Sequence, residues 1–197
     1  MRFRRFAPAP SEFLVSALAL LFAGCSSSSI VPQVDNAMYR RLVPPPIIHV
    51  RPFDTSAGVW EGGASAQTER TKIRNALADS MVARLSEITA AEIYMGIDAP
   101  ADGWLVTGKF VQVSSPRHAN LGPVGVGRGG SKLVTEVTVY DLAESATDPI
   151  LVFTTTGTSK RLVNVDMQKG ADDGNVSDID RAAQEIRDYL LEKLTTG

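Results

Sequence analysis

The sequence predicts an α+β domain, a two-layer α/β sandwich in which two helices cover one face of a mixed, mainly antiparallel sheet of about four to five strands. Three observations predict this fold class. Two segments carry apolar residues at helical spacing, three others alternate or are rich in β-branched residues, and a helix lies on each side of those three strands along the chain. Because an amphipathic helix needs an apolar surface to cover, packing both helices on one sheet is the simplest assembly.

The domain is predicted to open with a strand and a helix. Residues 47–54 are largely apolar and contain Pro52, which is typical of a strand that ends there or lies at a sheet edge. A loop rich in Gly and Ser follows over residues 55–65. A helix is predicted over about residues 66–88, because apolar residues recur at spacings of three or four. They are Ile73, Leu77, Met81, Leu85 and Ile88.

A short second strand, predicted at residues 91–96, comes before three stronger strand patterns. Residues 104–114 and 132–142 place apolar side chains on one face, and residues 150–158 are rich in β-branched side chains and Phe. Trp104 is predicted to anchor the core. The connection between the last two strands is short enough for a hairpin.

The chain is predicted to close with a second helix. Ser177 and Asp180 suggest a capping box at its start. Its apolar face is predicted to consist of Ile179, Ala183, Ile186, Leu190 and Leu194.

The composition excludes several classes of protein. Of the 197 residues, 44% are hydrophobic, which is enough to fill a core and excludes disorder throughout. The formal net charge of -2 argues against nucleic-acid binding by bulk positive charge. Cys25 is the single cysteine, which excludes an intramolecular disulfide and a zinc site with several cysteines.

The first 25 residues have the order of a secretory signal. Arg2, Arg4 and Arg5 form a positive start, and an apolar run follows over residues 13–23. That run is too short for a hydrocarbon core of about 30 Å but suits a signal-peptide core. Small residues then lead directly to Cys25. The alternatives are an ordinary secretory signal with an incidental cysteine, or a cysteine of the core.

The sequence Ala23-Gly24-Cys25 resembles the lipobox of bacterial lipoproteins, although Phe22 stands where Leu is usual. The resemblance implies removal of residues 1–24, diacylglycerol on the Cys25 thiol and, in many species, an acyl chain on its new amine. Two or more acyl chains give stable membrane anchoring. Ser26, rather than Asp, implies sorting to the outer membrane, with the protein facing the periplasm.

Residues 25–46 are predicted to be the lipidated cysteine and a tether rich in Ser and Pro. Ser26 to Ser29 favour flexibility, and Pro44 to Pro46 favour an extended polyproline conformation. At about 3.3 Å per residue, such a tether reaches at most about 70 Å from the membrane. Residues 47–197 are predicted to form a single periplasmic domain.

A Gly-rich segment precedes the strand at residues 132–142. Gly125, Gly127 and Gly130 satisfy the G-x-G-x-x-G pattern, but nucleotide binding needs a helix after the motif, and a strand follows here. The segment is therefore either a permissive hairpin connection or a long loop that contacts a partner. The candidate contact residues are Arg117, His118, Gly125, Gly127, Arg128 and Gly129.

The sequence predicts no catalytic residue, no metal and no cofactor. His49 and His118 lack a nearby second His or Cys, and no G-x-S-x-G elbow is present, so both are interpreted as structural or surface residues. An acidic group does not fit a calcium loop and is predicted to be a solvated loop and helix cap. Its members are Asp166, Asp172, Asp173, Asp178 and Asp180.

Five short segments of residues 47–161 carry a further resemblance. They are 50–53, 77–85, 103–110, 125–129 and 137–141. Together they resemble a family of bacterial lipoproteins whose domain is catalogued as of unknown function. The order of strands and helices is similar to small periplasmic lipoprotein domains of the curli-secretion, polysaccharide-export and cell-wall-synthase-activator types. That similarity implies an adaptor or ring subunit without catalytic residues.

The expected function is that of a lipid-anchored, non-enzymatic accessory to envelope assembly or export. Its expected partners are the membrane, through acyl chains on Cys25, and an envelope protein or a second copy of the chain. The alternative is a small-ligand-binding or hydrolytic periplasmic domain that uses the Gly-rich segment with Arg117 and His118.

Overall fold

The computed structural model describes residues 29–36, 42–114, 131–159 and 173–196. Within these ranges, two helices pack against a mixed sheet of seven strands, which confirms the predicted α+β class. The elements in chain order are β1 (Ser29–Asp35), β2 (Ile47–Val50), β3 (Val59–Glu61), α1 (Gln67–Leu85), β4 (Ala90–Ile93), β5 (Trp104–Ser114), β6 (Ser131–Asp141), β7 (Leu151–Ser159) and α2 (Asp173–Thr195).

The sheet has more strands than the four to five expected. Its order is β1-β7-β6-β5-β2-β4, with β3 also pairing with β5. The long pairings β1–β7, β5–β6 and β6–β7 are antiparallel, whereas the short pairings of β2 and β3 are parallel. The additional strands are β1, which lies in the predicted tether, and β3, which lies in the predicted loop. Pro32 is compatible with β1 because β1 is an edge strand.

The predicted strand at residues 47–54 ends at Val50, but its backbone continues to pair with β5. The Arg51 amide donates to the Val106 carbonyl, and the Asp54 amide donates to the Gly108 carbonyl, both at 2.9 Å. The chain then forms β3 beside the end of β5, where the buried Trp60 packs on Phe110 with ring centroids 5.2 Å apart. One edge of β5 is therefore occupied in turn by β2, an irregular segment and β3.

The core lies between the sheet and the two helices. Four residues of the predicted α1 stripe are buried, and Ile88, just beyond the helix end, is partly buried. All five residues of the predicted α2 face are buried as well. Trp104 is fully buried, as predicted for a core anchor.

The predicted start of α2 is wrong. The helix begins at Asp173, so Ser177 lies within its second turn and not at its start. The Asp180 carboxylate instead accepts a hydrogen bond of 2.7 Å from Arg84 of α1. Asp178 is buried and accepts a hydrogen bond from the Ser131 hydroxyl, so it is not part of a solvated group. Asp166 and Asp172 lie outside the described residues.

Neither helix in the described ranges is long and apolar enough to cross a membrane.

Candidate functional site

The two ends of the sheet differ in the chain connections that join their strands. At the first, which we call the loop end, β5 ends at Ser114, β6 begins at Ser131 and β7 ends at Ser159. β1 also begins here, since Ser29 pairs with Thr156. The opposite end, which we call the hairpin end, carries the tight β6–β7 connection. The Gly-rich segment therefore leaves and re-enters the sheet at the loop end.

The predicted contact residues of that segment lie outside the described residues, so their prediction remains untested. The same holds for Cys25 and the lipobox. What the structure describes is the stem from which the segment leaves. Ser114 pairs with Lys132, and the Lys132 ammonium donates a hydrogen bond of 2.8 Å to the Gln112 side chain. With the Ser131–Asp178 hydrogen bond, these contacts hold both ends of the segment to the sheet and to α2.

A small depression lies beneath this stem. It is lined by Ile73, Val113, Lys132, Leu133, Asp178 and Ile179, and its free volume is about 10 Å³. A volume of about 10–15 Å³ holds a single water molecule, so the depression is far smaller than a typical ligand site. Its carboxylate, that of Asp178, already accepts from Ser131, and Arg181 lies 3.9 Å away. The described side of the loop end therefore favours a structural role for Asp178.

His49 lies on β2, next to the edge of the sheet. It is 7% exposed, and its Nδ1 lies 3.0 Å from Oε1 of Glu92 on β4. The Tyr94 ring packs edge-on against the imidazole, with centroids 5.6 Å apart. His49 is therefore buried and not a surface residue, and its contact with Glu92 joins β2 to β4.

Arg51 fixes the connection that follows β4. Its guanidinium lies 5.6 Å from the Tyr94 ring centroid and donates to the carbonyls of Ile97 and Asp98, the latter at 2.7 Å. The backbone of this connection is therefore held in place although some of its side chains project outward. In the described part of the chain, no group of three or more His, Cys, Asp and Glu residues could hold a metal ion.

Apolar side chains are exposed at the β4 edge. Met95 is 73% exposed and Ile97 is 95% exposed, and Ile93 is also exposed. We call these three residues the β4 patch. In the described ranges β4 pairs only with β2, so its outer backbone groups face away from the sheet. An uncovered strand edge beside apolar side chains is a typical binding surface for another polypeptide.

The other edge strand, β1, is tied firmly to the body. The Lys193 ammonium of α2 donates to the Asp35 carboxylate and lies 5.1 Å from the Tyr189 ring centroid. The hydrogen bond to Asp35 raises the pKa of Lys193. Gln33 also donates to the Thr154 hydroxyl at 2.9 Å. Sequence reasoning missed this strand, although Ile30, Val31 and Val34 are β-branched.

Solved structures with a similar arrangement come from several bacteria. A PelC dodecamer from Paraburkholderia phytofirmans is 13% identical, with a TM-score of 0.46 over 82% of this chain and 98% of that chain. Protein XCC0632 from Xanthomonas campestris, of the DUF330 family, is 9% identical, with a TM-score of 0.43 over 83% and 93%. The hypothetical protein CT253 from Chlamydia trachomatis is 8% identical, with a TM-score of 0.43 over 77% and 98%.

The described elements thus define an α/β sandwich domain whose helices lie on one face of an open mixed sheet. No curated protein matches the sequence. The family model described as Domain of unknown function (DUF4410) matches residues 28–178, which is most of the chain. The chain belongs to this family, and the expectation of a domain of unknown function is confirmed.

Proposed function

We propose that the chain is a lipid-anchored periplasmic protein of the outer membrane that assists envelope assembly or export through protein contacts, without an enzymatic activity of its own. The lipobox pattern at Cys25 supports the anchor. One structural observation carries the contact role: the β4 patch lies beside a strand edge that no described element covers.

The β4 edge suits a polypeptide partner because it offers two kinds of contact together. The outer backbone groups of β4 can pair with an added strand, which supplies affinity. Met95 and Ile97 can be covered by apolar side chains of that partner, and Met adapts to irregular surfaces. The hydrogen bonds from Arg51 to the carbonyls of Ile97 and Asp98 keep the connection in place before binding.

The test is crosslinking in intact cells with the double variant Met95→Lys and Ile97→Lys. Two charges at the centre of an apolar contact should remove most of the crosslinked partner, since such positions often contribute 2 kcal/mol or more, about 30-fold in affinity. Val43→Lys is the matched control because Val43 is 73% exposed, as Met95 is.

The expected result is that the control retains the crosslink and that both variants have the thermal midpoint of the wild type. A double variant that crosslinks as strongly as wild type contradicts the contact role of the β4 patch. If the crosslinked species is a dimer of this chain, the partner is a second copy.

A further inference from the structure

The place where β1 begins determines how far the domain can stand from its anchor. The predicted tether of residues 25–46 reached about 70 Å, but Ser29 is already paired with Thr156 in the sheet. We propose that the loop end of the sheet lies against the surface of the lipid bilayer. This inference rests on the proposed lipidation of Cys25.

The chain between the proposed anchor and the first strand is short. Four residue steps separate Cys25 from Ser29, and at about 3.6 Å per step they span at most about 14 Å. Acyl chains hold the Cys25 sulfur at the bilayer surface. The first residue of β1 therefore lies within about 14 Å of that surface, whatever path the intervening residues take.

The sheet is longer than this connection. β6 contains 11 residues, which at about 3.4 Å each give a length of about 37 Å. Ser29 lies at the loop end because β1 runs antiparallel to β7, with Asp35 opposite Leu151 at the other end. Asp35 lies six residue steps, about 20 Å, beyond Ser29 along β1, so the hairpin end can meet the bilayer only if the strands lie flat on it or slope toward it.

The distribution of charge favours the orientation in which the loop end faces the bilayer and the hairpin end points away from it. The hairpin end carries carboxylates in two stretches, 98–103 and 141–150, that contain no Lys or Arg, and Lys193 at this end is paired with the Asp35 carboxylate. These carboxylates include Asp102, Asp141, Glu144 and Asp148. The described residues of the loop end carry both signs, with Lys72 and Lys132 against Glu61 and Glu69. Anionic lipid repels the hairpin end more strongly than the loop end.

The experiment measures how close each end lies to the membrane. The lipidated full chain is reconstituted into vesicles of phosphatidylethanolamine and phosphatidylglycerol that contain a lipid with a nitroxide headgroup. A fluorophore is attached through Ser65→Cys at the loop end or through Ala146→Cys at the hairpin end. Both residues are exposed: Ser65 ends a short 3-10 helix and Ala146 lies in the β6–β7 connection. Lipidation blocks the thiol of Cys25. We expect several-fold stronger quenching at position 65 than at position 146.

Two controls make the result decisive. Inserting a Gly/Ser linker of about 20 residues between Ser28 and Ser29 should weaken the quenching at position 65, because a flexible linker restores the distance. Intact mass separates the two hypotheses. A lipidated chain with equal quenching at both ends, or with quenching unchanged by the linker, overturns this inference alone. A chain with unmodified Cys25 overturns the proposed anchor and this inference together.

Discussion

At the scale of the residue, Gly103 shows how one position holds two strands in register. It has φ of +84°, and a Cβ there would lie 2.4 Å from the Ile47 carbonyl oxygen. Its own carbonyl accepts a hydrogen bond of 3.0 Å from the Leu142 amide, just before the buried Trp104. Both the positive φ and the close approach to β2 require a residue without a side chain.

We therefore expect Gly103→Ala to lower the free energy of unfolding by about 1–3 kcal/mol, measured by denaturant titration. Gly157→Ala is the control, because a Cβ there meets nothing closer than 3.6 Å. Its expected effect is below about 1 kcal/mol in either direction. If both variants lowered the free energy of unfolding equally, the backbone conformation at Gly103 would not be the cause of the loss.

Residue-scale chemistry also explains why the prediction for Asp178 is wrong. Asp178 belongs to a group of acidic residues whose composition predicts a solvated loop and helix cap. The fold instead brings Ser131, 47 positions away in the chain, to its carboxylate and buries both residues. Burial of a carboxylate is tolerated when hydrogen bonds satisfy it, and a partner so distant in sequence leaves no local signal.

At the scale of the element, a helix or strand is predicted from the sequence when the pattern that specifies it lies within its own residues. The helices and the strands β5, β6 and β7 have their periodicity within their own residues, and most of their ends are predicted to within a few positions. β1 and β3 are short, and each is stabilised by pairing with a distant strand. The predicted contact residues between Ser114 and Ser131 stay predictions.

β1 provides an element-scale prediction. Lys193→Met should speed hydrogen exchange of the β1 amides by about 10-fold or more, because it leaves the Asp35 carboxylate without its cation. Lys109→Met, which removes the ion pair of 2.8 Å with Glu136, is the control and should leave β1 exchange unchanged. Uniform acceleration throughout the sheet would mean that the variant loosens the whole domain.

The same contact has a pH dependence with a defined sign. The pKa of Lys193 is raised in the folded state by its hydrogen bond to Asp35. The stabilisation is therefore complete below the unfolded pKa of the lysine and is lost as the pH rises through the higher, folded value. On the alkaline side, the β1 contact should thus weaken as the pH rises through the raised pKa of Lys193, and Lys193→Met should abolish that loss.

At the scale of the whole molecule, the contacts that hold the loop end together lie outside the Gly-rich segment. The stability of the domain and the contact of that segment with a partner can therefore be tested separately. The strand ends are held by the Ser131–Asp178 and Lys132–Gln112 hydrogen bonds, which do not involve the Gly-rich segment itself. Replacing residues 119–130 with a Gly/Ser segment of equal length should therefore keep the thermal midpoint within a few degrees. If this segment contacts a partner, the replacement should also remove crosslinking in cells. A replaced chain that crosslinks as wild type would exclude that contact.

β1 also determines how the domain responds to mechanical load. A pull on the proposed anchor acts at Ser29 along the axis of β1, which is paired antiparallel with β7 from Ser29↔Thr156 to Asp35↔Leu151. Force in that direction loads the interstrand hydrogen bonds together, in shear, instead of opening them one after another as in unzipping. The ion pair of Asp35 with Lys193 lies at the far end of the strand and adds to the resistance. The first strand would thus transmit tension from the proposed anchor into the sheet and α2.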